Sequence, residues 1–229
     1  MRIAETFSSI QGEGKLAGVP SLFIRASGCN LRCRWCDTPY ASWNPEGENC
    51  SLERIIGIVS KAPARHVVIT GGEPLLMPGV AELCFAIHAM GRHITVETAG
   101  TIFELLPADL ISLSPKLSNS TPDAESGGPW SHIHEQRRLS IPVLQQFIDT
   151  AADLQLKFVI QRPEDVDEVC EVLGKLRNWR AEDVLLMPEG TSAVVLEERS
   201  LWLVEQCQAL GYRFAPRLHV MLWGNRRGV

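Results

Sequence analysis

Short apolar runs rich in β-branched residues alternate along this chain with longer stretches of helical period, and that alternation restricts its architecture more than any other feature. The runs Val19–Ala26, His66–Thr70, His93–Thr98, Leu110–Ser114, Leu156–Ile160 and Val184–Met187 predict about six strands, with Leu218–Trp223 a candidate terminal one. Several are apolar at successive positions, as in Val67-Val68-Ile69 and Phe158-Val159-Ile160, the pattern of parallel strands covered by helices or closed into a barrel. Between them Leu83, Ile87 and Met90 fall at helical spacing, and so do Val166, Val169, Cys170, Val172, Leu173 and Leu176. Ser51 reads as a helix N-cap, and Asp165 lies in the first turn after Pro163, where a carboxylate complements the helix dipole. The expected fold class is α/β, in one domain over residues 1–229. The polar, turn-rich stretch 118–136 reads as a loop or mobile lid over the site.

The charge balance narrows the partners. With 22 basic against 27 acidic residues and a formal net charge of -5, the chain has no electrostatic footprint for a long polyanion, so no nucleic acid is expected. No apolar run approaches the roughly 20 residues of a membrane span, and the opening MRIAETFSSIQGEG is too polar for a secretory signal. A cytoplasmic protein without a membrane partner is expected. Seven cysteines, an odd number, argue against a closed disulfide framework and for reduced thiols. Cys84, Cys170 and Cys207 fall on apolar helical faces and read as small core residues. Cys50 lies in a polar loop and is the weaker candidate for a fourth ligand, because nothing holds it near the others.

The remaining three, Cys29, Cys33 and Cys36, are crowded into GCNLRCRWC with C-x-x-x-C-x-x-C spacing. Such closely spaced thiolates favour a soft metal or an iron–sulfur cluster. Structural zinc needs four ligands, commonly as two separated pairs, and no second pair exists nearby, which makes a zinc-stabilised binding module the weaker reading. On a cubane cluster, three thiolates leave one iron open to chemistry.

Parallel strands that each lead into a helix gather ligands beyond their carboxyl ends. The unusual residues fall there: the cysteines follow the first strand, Gly71-Gly72-Glu73-Pro74 the second, Glu97-Thr98 end the third, and Ser114-Pro115-Lys116 end the fourth. Four special segments on one rim imply one site. Glycines in such a turn let a ligand approach the backbone closely, and Glu73 adds a negative charge that suits a cationic group.

The cysteine spacing, with an aromatic residue before the last thiol, resembles the radical S-adenosylmethionine superfamily. The segment ETFSSIQGEGKLAGVPSLFIRASGCNLRCRWCDTPYA, with TGGEPLL, VETAGT, SPKLSNS, KFVI, LMPEG and RLHVMLWGNRRGV, extends the resemblance over most of the chain to the 7-carboxy-7-deazaguanine synthase family. That resemblance implies a compact, incomplete (β/α) barrel. It implies a 4Fe-4S cluster on Cys29, Cys33 and Cys36, with S-adenosylmethionine beside Trp35, Cys36, Asp37, Gly72, Glu73, Ser114, Pro115 and Lys116. It implies the ring contraction of 6-carboxy-5,6,7,8-tetrahydropterin to 7-carboxy-7-deazaguanine with release of ammonia, a step of queuosine and 7-deazapurine biosynthesis. The substrate residues it implies are Ile10, Gln11, Gly12, Glu13, Arg25, Thr70, Glu97, His219 and the terminal Val229, with Thr38 as ligand to Mg2+ and Asp37 as the alternative. Arg25 suits the substrate carboxylate because a guanidinium grips it through two parallel hydrogen bonds. A flavodoxin or ferredoxin electron donor and a homodimer, with Trp202 and Trp223 as candidate anchors, are also implied. A glycyl-radical-activating enzyme would use the same cluster on a protein substrate, but it gives no reason for QGEG and Arg25 ahead of the cysteines.

Overall fold

The computed structural model describes residues 1–229. Its strands are β1 Arg2–Ile10, β2 Pro20–Ala26, β3 Glu48–Asn49, β4 His66–Gly71, β5 His93–Thr98, β6 Leu110–Leu113, β7 Leu154–Ile160, β8 Val184–Pro188 and β9 Arg213–Phe214. They form one sheet in the order β3-β1-β2-β4-β5-β6-β7-β8-β9. From β2 to β9 all neighbours are parallel, while β1 lies antiparallel on β2 and β3 antiparallel on β1. The two end strands do not meet, so the sheet is an open, incomplete barrel. The six anticipated strands are all present; β1 and the short β3 and β9 were not foreseen.

The helices are α1 Leu52–Lys61, α2 Val80–Ala89, α3 Ala124–Gly127, α4 Pro129–Arg137, α5 Ile141–Thr150, α6 Pro163–Leu173, α7 Ala193–Leu210 and α8 Leu218–Trp223. Ser51 caps α1, its hydroxyl accepting from the Arg54 amide at 3.2 Å. Asp165 closes the first turn of α6 by accepting from the amides of Gln161 (2.7 Å) and Arg162 (3.1 Å). No helix follows β5, which reaches β6 through irregular chain. No helix is long and apolar enough to cross a membrane.

Three local expectations are corrected. Leu218–Trp223 is helical because no strand lies beside it to accept its bonds, which close locally instead, from Met221 N to Arg217 O and from Gly224 N to Val220 O. The stretch 118–136 is not a loop: it holds a 3-10 turn, α3 and α4, because its turn-forming residues act as helix boundaries. Asp123 caps α3 through the Ser126 amide at 2.7 Å, and Pro129 opens α4. Cys170 is exposed on the outer side of α6, whereas Cys84 and Cys207 are buried as expected. Cys50 is also buried, tied to the N-terminus by the Met1 and Cys50 backbones.

Alternation along the strands sorts the residues by destination. Leu22, Ile24, Val67, Ile69, Ile94, Val96, Leu156, Phe158 and Ile160 point to the helices and form the main core. The residues between them, among them Arg25, Thr70, Glu97, Ser112 and Lys157, point to the concave side, which opens into a cavity. The continuous apolar runs seen in sequence conceal this division wherever the inward residue is itself Val or Phe.

Candidate active site

The concave face encloses a cavity of about 430 Å³. One wall is the loop between β2 and β3, which carries Cys29, Cys33, Trp35, Cys36, Asp37 and Thr38; all six line the cavity. The three thiols pack together against Leu31 and Ala99. Burial pushes the Cys29 thiol up to about 11 and the Cys33 thiol up to about 12. Loading a metal group there therefore displaces protons, as thiolate ligation requires. Of the seven thiols only Cys29, Cys33 and Cys36 share this packed group; Cys50, Cys84 and Cys207 belong to the main core, and Cys170 is exposed. The donor set thus fits a cluster with an open corner and does not fit a closed zinc tetrahedron.

The TGGEP turn abuts this loop. Gly72 N donates to Ala26 O at 3.1 Å and Glu73 N to Gly28 O at 2.9 Å. A Cβ on Gly72 would lie 2.1 Å from the Gly28 carbonyl oxygen, so glycine serves the contact between the two segments. The Glu73 carboxylate does not line the cavity. It is buried and accepts from Thr98 Oγ1 (2.7 Å), Ala99 N (2.9 Å) and Leu75 N (3.2 Å). The charge expected to face a cationic group is consumed in bracing the turn, and burial raises its pKa. Lys116 Nζ donates to Ser114 Oγ at 2.7 Å and sits 5.7 Å from the Trp35 ring centroid, which brings the SPK segment against the cysteine loop. Ser114 and Lys116 line the cavity; Pro115 does not.

The opposite wall comes from β1, β2, β4 and β5. Arg25 Nε donates to Glu5 at 2.7 Å, and the same carboxylate accepts from Tyr40 OH at 2.8 Å and Arg227 Nε at 3.0 Å. Burial by itself would raise the Glu5 carboxyl, but these donors outweigh it and hold it below the usual range. Phe7 stacks on Phe23 at 4.9 Å beneath the Arg25 guanidinium. Glu97 accepts from Gln11 Nε2 at 2.9 Å and from Thr70 Oγ1 at 2.8 Å, joining three of the anticipated residues. Ile10, Gly12 and His219 also line the cavity, and burial lowers the His219 pKa. The C-terminal stretch from Gly224 to Val229 also lines the cavity, held by Arg227, whose guanidinium lies 3.9 Å from the Tyr40 ring centroid.

A buried ionic chain on the cavity floor was not foreseen. Glu13 pairs with Lys157 and with Arg217, and Arg217 also holds Asp37 and the Gly190 carbonyl. Burial would raise the Glu13 carboxyl, but the two cations hold it far below the usual range. Asp37, the alternative metal ligand, is thus engaged by Arg217. Lys157 left a signal in sequence, a charge inside a fully buried strand; Arg217 left none, since its partners lie 180 and 204 positions away.

An open parallel sheet with a three-thiol loop at the carboxyl ends of its strands defines a radical SAM protein, and the model of the radical SAM superfamily matches residues 23–180. The chain is 45% identical to 7-carboxy-7-deazaguanine synthase of Rhodopirellula baltica over 99% of its own length and 88% of that protein's. It is 46% identical to the protein of the same name in Halobacterium salinarum, over 97% and 90% of the two chains. The chain belongs to the 7-carboxy-7-deazaguanine synthase family. Its fold resembles the crystal structure of QueE from Escherichia coli with a TM-score of 0.71, covering 95% of this chain and 94% of that one at 24% identity.

Proposed function

We infer that this protein is a carbon–nitrogen lyase that contracts 6-carboxy-5,6,7,8-tetrahydropterin to 7-carboxy-7-deazaguanine with release of ammonia, in 7-deazapurine and queuosine biosynthesis. The observation that carries the reading is a single cavity with three clustered thiols on one wall and, on the other, a guanidinium beside a hydrogen-bonded carboxylate. Its size, with the C-terminal stretch in its lining, favours a small molecule over the protein substrate of a glycyl-radical-activating enzyme.

Cys29, Cys33 and Cys36 would hold the 4Fe-4S cluster, and Trp35, Gly72, Ser114 and Lys116 would surround S-adenosylmethionine. Bound there, the pair supplies the one-electron chemistry that opens the reaction. Glu5 occupies the Arg25 Nε–H, which fixes the guanidinium plane and leaves the two terminal nitrogens for the substrate carboxylate. Glu97, oriented by Gln11 and Thr70, offers its remaining lone pairs to the donor edge of a pterin. Glu13, His219 and the Val229 carboxylate complete the polar lining. Thr38 would hold Mg2+ with waters and substrate oxygens, since this ion keeps much of its hydration shell. The electron would come from a flavodoxin or ferredoxin. Seven unpaired thiols suit a reducing cytoplasm. We also propose pairing of two copies over α8, where Met221, Leu222 and Trp223 are exposed by 39% or more; Trp202 instead packs against the core. Sedimentation of a Trp223→Glu variant as a monomer, against a dimeric parent, is the expected result.

Arg25→Ala tests the central assignment. The variant is expected to cleave S-adenosylmethionine without substrate yet form deazapurine at least about a hundredfold more slowly, a loss of substrate positioning. Normal product formation would remove Arg25 from the substrate site.

A further inference from the structure

The stretch 118–136, with its two short helices, makes a set of contacts that neither substrate nor cofactor binding requires. Cys33 is the central thiol of the three, and the peptide amides on either side of it both donate into this stretch. Arg32 N donates to His134 Nδ1 at 3.1 Å, and Arg34 N donates to Ser120 O at 2.9 Å. Because Nδ1 accepts from a backbone amide, the ring proton sits on Nε2, which donates to Ser120 Oγ at 2.9 Å; that hydroxyl in turn donates to Leu117 O at 2.6 Å. His134 is fully buried. Few other side chains could accept on one side and donate on the opposite one at this separation.

Further contacts hold the same loop. Trp35 Nε1 donates to Asn119 Oδ1 at 3.2 Å, and Asn119 Nδ2 donates to Val159 O (3.0 Å) and Asp165 Oδ2 (2.8 Å), which ties the contact to β7 and α6. The Arg32 guanidinium lies 4.1 Å from the Trp130 ring centroid while donating to the carbonyls of Cys29 and Leu31. The stretch is itself anchored: Ser118 N and Oγ both donate to Glu168 of α6, and Arg138 donates to Glu168 and to the Lys116 carbonyl.

We propose that residues 118–136 form a clamp that sets the conformation of the cysteine loop, with His134 as a positioning residue acting through the Arg32 amide. A loop of eight residues bearing three thiols has no regular structure to satisfy its amides. Its shape must come from outside, and contacts beyond a metal group's ligands are what orient those ligands. The proposal rests on the cluster-bearing reading of that loop.

The test uses the full chain with His134→Ala and His134→Asn, since the Asn carbonyl can accept near the Nδ1 position. In the metal-free protein, amide hydrogen exchange at Arg32 is expected to quicken at least about tenfold in His134→Ala, with the β4 amides unchanged. After anaerobic reconstitution that variant should retain less than half the parent's iron and show a changed paramagnetic resonance signal for the reduced cluster. His134→Asn should restore both the protection and the signal. Parental exchange at Arg32 together with parental iron content in His134→Ala would overturn the clamp. Should His134→Ala lose β4 protection as well, His134→Asn decides: a folded Asn variant with a protected Arg32 amide and depleted iron overturns it, and one with restored iron supports it. A parent chain that takes up no iron would break the cluster reading itself, an outcome distinct from either.

Discussion

Phe158 and Lys157 are neighbours on β7, yet they serve opposite faces of one sheet. Phe158 is fully buried among the residues that meet the helices, while Lys157 projects into the cavity and pairs with Glu13. The same contrast recurs on β2, where Ile24 packs outward and Arg25 faces the cavity, and on β4, where Ile69 is core and Thr70 holds Glu97. One face supplies the burial that keeps the sheet folded; the other can then accommodate polar groups that would not pack a core. Function and stability are thus separated by a single step along each strand.

That separation can be broken first at its most stabilising point. Phe158→Ala should cost about 3–5 kcal/mol, read as a shift in the urea midpoint of the metal-free protein, because it opens a hole in the packed face. Lys157→Met should cost less, about 1–3 kcal/mol, because Glu13 keeps Arg217 as a partner, yet it should slow product formation more than its stability loss explains. A variant equally unstable to Phe158→Ala, or fully active, would erase the distinction between the faces.

The smallest expected effect sharpens it. His66 is an inward residue below the cavity, with Ser21 Oγ at 2.7 Å and Thr95 Oγ1 at 2.8 Å from its ring nitrogens. Burial, aided by His93, lowers its pKa to about 4 from the ordinary 6.5. Between those values the unfolded chain binds the proton and the folded chain does not, so this contribution is present above the upper value and is lost as acid is added through the window. Stability should therefore decline from neutral pH toward pH 4, and His66→Gln should flatten part of that slope; identical slopes for the two proteins would show that the imidazole titrates normally in the fold.

Much of this architecture was legible before folding was considered. Strands such as Val67-Val68-Ile69 announced themselves through β-branched runs, and the thiol spacing in GCNLRCRWC marked the loop that lines the cavity. β1 escaped notice because its inward residues include Glu5 and Phe7 and its register on β2 shifts between Ile3 and Glu5, so its pattern is neither a clean alternation nor an apolar run. Stretch 118–136 looked like a loop because Ser, Asn, Asp, Gly and Pro mark helix ends as readily as loops. Glu73 was expected at the cofactor because its charge is visible in sequence, whereas the three donors that hold it away from the cavity are not.

Local order along the chain determined which residues could become strands, which loop would hold the thiols, and which family the chain resembles, since each depends on neighbours within a few positions. Only the tertiary structure decided that Arg217 would bind both Glu13 and Asp37, that His134 would receive the Arg32 amide, and that the C-terminal residues would line the cavity. Those contacts join residues up to 222 positions apart, and their geometry exists only once the sheet has curled and its two faces have been assigned.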